Sequence, residues 1–475
     1  MRFKGLKMVK NIKICYIGGG SKLWARVFMS DLALAQNLGG EIALYDIDKP
    51  AAERNAAIGK RINEDSKTLS KFNYVVHDSL DSALTGADFV VISILPGTFK
   101  EMRSDVHAPE KYGIYQSVGD TVGPGGVLRS MRTVPLYEGF AKKIKEICPN
   151  AWVINFTNPM SICVKTLYDV FPEIKAFGCC HEVFHAQQFL CCVLKETRGI
   201  ETTKDDIYTD ACGVNHFTWI TEARYKEYDL LSLLPEFMQK HFEEGYYEYP
   251  SPDGSHFGFL TDPFAYGNKV KMDLFKKYGA LAAAGDRHLV EFMNNSWYLS
   301  SPKAVKEWKY NLTSVDWREA DQKKKIEESI EMAEGRKMFN LVKSSEIAVD
   351  LMKAIMGFGT IVSNVNMPNL GQMPQMPKGS IVETNCIFSN GQVKPIVSNP
   401  LPTEVKNLVY RNCVNIDSVY EGIKERDLNK LYLAFANQPL CSTLSFDDSK
   451  KLFKEMCYNT ADYLTPFFDL DGYFN

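Results

Sequence analysis

The sequence predicts an α/β protein, with a doubly wound parallel sheet over residues 11–200 and a mixed α+β, helix-rich domain over residues 201–475. Three observations carry that expectation. Short apolar runs alternate with helical periodicity through the first 200 residues, which is how βαβ units read in sequence. The first run opens directly into a glycine-rich turn, "YIGGGS" at 16–21. The chain, at 475 residues, is longer than one hydrophobic core usually organises.

In order, residues 11–17 form the first strand, 22–36 a helix, and "EIALYDID" at 41–48 a second strand with an acidic end. Further strands are expected in "NYVVH" at 73–77, "DFVVISIL" at 88–95, "AWVINF" at 151–156 and "IKAFGCC" at 174–180. After residue 206, "IYTDACGVNHFTWITEARY" is strand-like, and helices are expected around 268–284, 319–356 and 402–425. Between 357 and 400 the pattern gives short strands with turn signals, Asn390-Gly391 among them.

Composition narrows the function classes. With 45% hydrophobic and 24% charged residues, the chain reads as a globular protein. A net charge of -3 offers no general attraction for nucleic acid, and the one basic cluster is the leader MRFKGLKMVK. Apolar runs such as "FVVISIL" at 89–95 fall far short of the roughly 20 residues that cross a bilayer. The leader lacks a signal peptide's apolar stretch, so a cytoplasmic protein is expected. Twelve cysteines include the adjacent pairs Cys179/Cys180 and Cys191/Cys192, which suit reduced thiols better than a disulfide framework.

The turn "GGGSKL" at 18–23 supplies Gly18 and Gly20, with Ser21 beside them and Leu23 where a third glycine would complete GxGxxG. Glycines there let backbone N–H groups approach a pyrophosphate at a helix N-terminus, as in Rossmann-like folds. Asp46, at the end of the next strand, can accept from both ribose hydroxyls and repel the extra phosphate of NADP. Asp48 is the alternative; the cofactor expected is NAD.

"GCCHEVFHAQ" at 178–187 and "GVNHF" at 213–217 add a thiol, imidazoles and a carboxylate. Alone, Cys180 reads as a small buried residue, and His181 or His216 as a hydrogen-bonded structural histidine. Their company matters, because Cys180 follows a strand at the carboxyl edge of the sheet, where such folds bind ligands, and Asn158 of "NFTNP" ends the preceding strand there.

Together "GGGS" at 18–21, "LYDID" at 44–48, "GDTVGPGG" at 119–126, "NFTNPM" at 155–160, "CHEV" at 180–183 and "GVNH" at 213–216 resemble glycoside hydrolase family 4. The resemblance implies a lactate/malate-dehydrogenase type of nucleotide domain, with NAD and Mn2+ as cofactors and Cys180 and His216 as metal ligands. It implies glycoside cleavage by oxidation at carbon 3, loss of the carbon 2 proton, elimination, water addition and re-reduction, outside the usual two-carboxylate scheme. The base implied is Asp273, with Tyr266 the alternative; His181 and Asp120 are candidates for protonating the leaving group. Asn158, Glu182, Arg287 and His288 are expected to contact the sugar.

The motif "CHEV" is associated with the α-galacturonidase subgroup, and "AAGDRH" at 283–288 places Arg287 where neutral-sugar members have small polar residues. A guanidinium grips a carboxylate with two parallel hydrogen bonds. The expectation is thus an α-galacturonidase acting on small oligosaccharides as a homodimer or homotetramer. An α-glucuronidase, or a neutral α-glucosidase or α-galactosidase, is the alternative within the family; a hydroxy-acid dehydrogenase or an NAD sensor is the alternative outside it. The simpler readings pair Arg287 with Asp286 or Glu291 at the surface, and leave Asp273 exposed beside Lys269 and Lys276.

Overall fold

The computed structural model describes residues 10–474; all but the last residue of the basic leader lies outside them. Six strands lie parallel: β1 (Lys10–Ile17), β2 (Leu38–Tyr45), β3 (Phe72–Val76), β4 (Phe89–Ile92), β5 (Trp152–Asn155) and β6 (Lys175–Gly178). Their order is β3-β2-β1-β4-β5-β6, the doubly wound arrangement the alternation predicts. Side chains alternate across the pleat, so Ile14 and Tyr16 enter one apolar layer while Cys15 and Ile17 enter the other. Phe28 and Leu32 of helix Trp24–Leu34 cover the first face. Tyr137, Ala141 and Ile144 of helix Gly123–Ile147 cover the second. Strands buried on both faces read as near-continuous apolar runs, which is why they were visible in sequence.

The sheet does not stop at β6. The later strands are β7 (Tyr208–Val214), β8 (Phe217–Tyr225), β9 (Tyr228–Asp229), β10 (Leu281–Ala282), β11 (Ile361–Pro368), β12 (Ile381–Ser389) and β13 (Gln392–Pro395). Asn366 of β11 pairs antiparallel with Gly178 of β6, and the order continues through β12, β7 and β8 to β10. One sheet therefore runs through both sequence regions. Asn390 (φ 46°) and Gly391 (φ 76°) form the tight hairpin between β12 and β13, as that dipeptide predicts.

Three expected elements are shorter. The helix at 268–284 is Lys269–Tyr278, closed by Gly279 in the left-handed region, after which Leu281 and Ala282 pair with β8. The helix at 319–356 is two, Val315–Glu334 and Ala348–Ile355, the first ended by Gly335 at φ 80°. The strand at 88–95 is Phe89–Ile92. All twelve cysteines are free and buried. Among the described residues no helix is long and apolar enough to cross a membrane.

Candidate active site

The strand order reverses between β1 and β4, and the glycine turn leaves β1 at that point. Gly18 has φ 95°, and a Cβ there would sit 2.0 Å from the Ser93 carbonyl oxygen, so no side chain is tolerated. The Gly18 and Gly19 amides donate to Tyr45 O at 2.9 and 3.0 Å. Asp46 accepts from the Gly20 amide and from the Asp48 amide, both at 2.8 Å. Asp48 instead caps helix Lys49–Ile62 through the Ala51 amide at 3.1 Å. Asp46 is therefore the carboxylate at the turn. Ser21 Oγ accepts from the Trp24 amide at 3.1 Å and starts the following helix.

Sequence reasoning missed Asn55, whose amide donates to Gly19 O at 2.7 Å and Ser21 O at 2.9 Å, while Arg26 donates to Asn55 Oδ1 at 3.1 Å. A fully buried asparagine thus pins the glycine turn from inside. It carries no motif; only the fold makes it a neighbour.

Past the ends of β5 and β6 and at the β7–β8 turn, the second cluster assembles. Cys180 Sγ lies 3.2 Å from His216 Nδ1, and Asn158 Nδ2 lies 3.2 Å from His216 Nε2 and 3.4 Å from Asp120 Oδ2. Arg129 fixes Asn158 by donating to its carbonyl at 3.0 Å. Ligand atoms of Asp120, His216 and His288 all fall within 4.8 Å of one another. The His216 and His288 rings are 4.2 Å apart. Burial, then the neighbouring His288, lowers His216 to about 3, leaving a neutral imidazole. Burial raises the Cys180 thiol well above its ordinary value. Burial opposes ionisation of Asp120, but Arg129, His288 and His216 outweigh it and bring the carboxyl down to about 2. The buried oxygens Asn158 Oδ1 and Asn215 Oδ1 have no partner, an acceptor surplus that suits a cation. A thiol, an imidazole and a carboxylate form a donor set for a divalent transition metal.

Glu182 accepts from the Gly285 amide and stands 3.7 Å from both His181 and His288. His181 is held on its other nitrogen by Glu346 at 3.0 Å, and Trp24 stacks on its ring at 5.7 Å. Burial disfavours its charge, yet Glu346 and Glu182 raise His181 to about 9. Glu346 lies in the irregular segment between two helices, where no pattern flagged it.

Asp273 is not brought to this cluster. It is buried against Tyr298, whose phenol donates to it at 2.7 Å, and pairs with Lys277 one turn along the helix. The exposed pairing with Lys269 and Lys276 is not formed either: Lys269 contacts Glu243. Tyr266 lies beside the cluster instead, its ring beneath Gly285, whose Cβ would sit 2.4 Å from it. The Tyr266 phenol donates to Glu248 at 3.0 Å and sits 3.2 Å from His185 Nδ1. Arg287 is buried, not a surface ion pair: it donates to Ser117 O at 2.9 Å and Thr313 Oγ1 at 2.6 Å. Glu291, its expected alternative partner, accepts from the Val118 and Gly119 amides at 2.7 and 3.0 Å, and Asp286 accepts from Val270 and Lys271.

Comparison with known proteins gives the family. The family 4 glycosyl hydrolase model matches residues 13–196, and the C-terminal domain model of the same family matches residues 211–441. An alpha-galacturonidase of Thermoanaerobacter italicus is 50% identical over 464 residues, 98% of this chain and 99% of that protein. The alpha-galacturonidase of Bacillus subtilis is 42% identical over 452 residues, 95% and 98% of the two chains. A crystal structure described as a Bacillus subtilis glucosidase, lplD, superposes with a TM-score of 0.87 at 42% identity, covering 94% of this chain and 99% of that one. The 6-phospho-beta glucosidase of Thermotoga maritima, solved with manganese, NAD+ and glucose-6-phosphate, shares the fold at a TM-score of 0.73 and 19% identity, covering 95% and 99%.

Proposed function

The chain belongs to the family 4 glycosyl hydrolases, and on that premise we propose that it is an α-galacturonidase. It removes terminal α-linked galacturonic acid from small oligosaccharides and uses NAD and Mn2+. The observation that carries the substrate is the near full-length similarity, at 42 to 50% identity, to proteins named alpha-galacturonidase. Residues up to about 200 hold the nucleotide and those beyond it complete the sugar site. The twelve buried free thiols suit a cytoplasmic homo-oligomer's reducing surroundings.

Gly18, Gly20, Ser21 and Asp46 would hold NAD, and Cys180 and His216, with Asp120 and His288 at hand, would hold Mn2+. When bound, NAD supplies a reversible hydride acceptor and the metal a Lewis acid for a sugar oxygen. The chain's own residues then do the proton work. His216 presents a neutral ring because burial keeps it so, and Asn158 holds that ring from the far nitrogen. Tyr266 replaces Asp273 as the base for the carbon 2 proton, its phenol being tied to Glu248 and His185. His181, kept protonated by Glu346, is the acid for the leaving group; Asp120, brought down to about 2, has no proton to give. Asn158, Glu182, His288 and Arg287 line the sugar's path.

The test is hydrolysis of p-nitrophenyl α-galacturonide and di-galacturonate with NAD, Mn2+ and reductant. Expected is sugar release with no net NADH and, in D2O, deuterium at carbon 2 of the product. Stoichiometric NADH would make the protein a dehydrogenase instead.

A further inference from the structure

Two guanidinium groups beside the site have no counterion. Arg287 is 6% exposed and spends one nitrogen on Ser117 and Thr313, while its Nε is buried without a partner. Arg318, on helix Val315–Glu334, also has a buried, unpartnered Nε. Among the described residues neither makes an ion pair. Both sit on one aromatic plate: their guanidinium carbons lie 5.0 and 5.9 Å from the centre of the Phe264 ring, which Trp317 braces edge-on at 5.0 Å.

The carboxylates within electrostatic reach are occupied elsewhere. Glu291 is held by two backbone amides, Asp120 by Thr121 and Asn158, and Glu182 by the Gly285 amide. Two buried, like-charged planar forks on one ring lack a planar anion, and Arg287 directly precedes His288 of the catalytic cluster, which puts that anion beside it.

We infer that Arg318 is a specificity-determining residue, the second arm of a carboxylate clamp formed with Arg287 over the Phe264 ring. The inference rests on the uronate reading above and assigns that reading's carboxylate to two arginines rather than one. A 6-phosphate would present similar anionic oxygens, so the test separates the two.

The holoenzyme, with NAD and Mn2+, is inhibited with D-galacturonate, D-galactose or D-galactose 6-phosphate, in wild type, Arg318→Gln and Arg318→Lys. Arg318→Gln raises the galacturonate inhibition constant about ten- to a hundredfold more than that for galactose, and Arg318→Lys recovers part of the loss. Equal losses for both sugars would make Arg318 structural and overturn the clamp. A wild-type preference for galacturonate that survives Arg318→Gln would overturn the clamp and leave the uronate reading standing. A wild type that prefers the 6-phosphate would overturn both.

Discussion

The phenol of Tyr266 donates to Glu248 at 3.0 Å, and Glu248 is completely buried. Asn268 and His185 complete the shell around that carboxylate, at 2.8 and 3.3 Å. The phenol is thereby fixed in direction.

Tyr266→Phe is accordingly expected to lower kcat by roughly two to four orders of magnitude, the usual worth of a positioned general base. It should also stop solvent deuterium entering carbon 2. Asp273→Asn should leave both within severalfold and lower the melting temperature, because it breaks the bonds to Tyr298 and Lys277. The reverse pattern would return the base to Asp273.

Cys180→Ser exchanges a thiolate donor for a hydroxyl that hardly ionises, and His216→Ala removes the neutral imidazole. Either change should weaken Mn2+ binding by at least about tenfold, read by titration of the ion's paramagnetic resonance signal, while NAD affinity stays near wild type. Loss of both affinities together would point to misfolding.

At the glycine turn the expected change is steeper. Gly18→Ala puts a methyl group 2.0 Å from the Ser93 oxygen in a left-handed conformation, so the chain must move or fail to fold. Asp46→Ala should raise the NAD dissociation constant about ten- to a hundredfold, by loss of a charge-assisted contact worth roughly 1.5–3 kcal/mol, and narrow the preference over NADP. Equilibrium binding of both nucleotides decides it.

Burial raises Cys148 and Cys413 to about 11 and Cys163, Cys191, Cys212 and Cys386 to about 12, from an ordinary value of 9.0. Each stays protonated in the native state while the unfolded chain ionises. Their contribution is therefore intact below pH 9.0 and lost as pH rises toward 12, at about 1.4 kcal/mol per unit for each thiol. Thermal melts should be flat to about pH 8.5 and fall beyond 9, with a shallower limb in Cys163→Ala.

The parallel half of the fold was legible because strands buried on both faces leave unbroken apolar runs, and the meeting of Gly20 with Asp46 and of Cys180 with His216 was legible because each stands in a dense motif. The antiparallel strands were expected too, but not their joining to the parallel sheet, since the pairing of Asn366 with Gly178 depends on contact between segments far apart in the chain. The surroundings of Asp273 were not legible for a related reason: its spacing suits a base, but the helix turns it toward Tyr298. Glu346, Glu248 and Asn55 are single polar residues in unpatterned surroundings, and only the folded chain makes them partners of His181, Tyr266 and the glycine turn.

The unbroken sheet has a mechanical consequence. Hydrogen-bonded ladders from β3 to β10 stiffen the molecule across the line where a two-part enzyme would ordinarily hinge. Jaw-like closure over the sugar would have to shear the β6–β11 junction, so any closing motion is expected from side chains and surface loops. Small-angle scattering should then give the same radius of gyration with and without substrate, and affinity should come from preorganisation, with little entropy lost on capture.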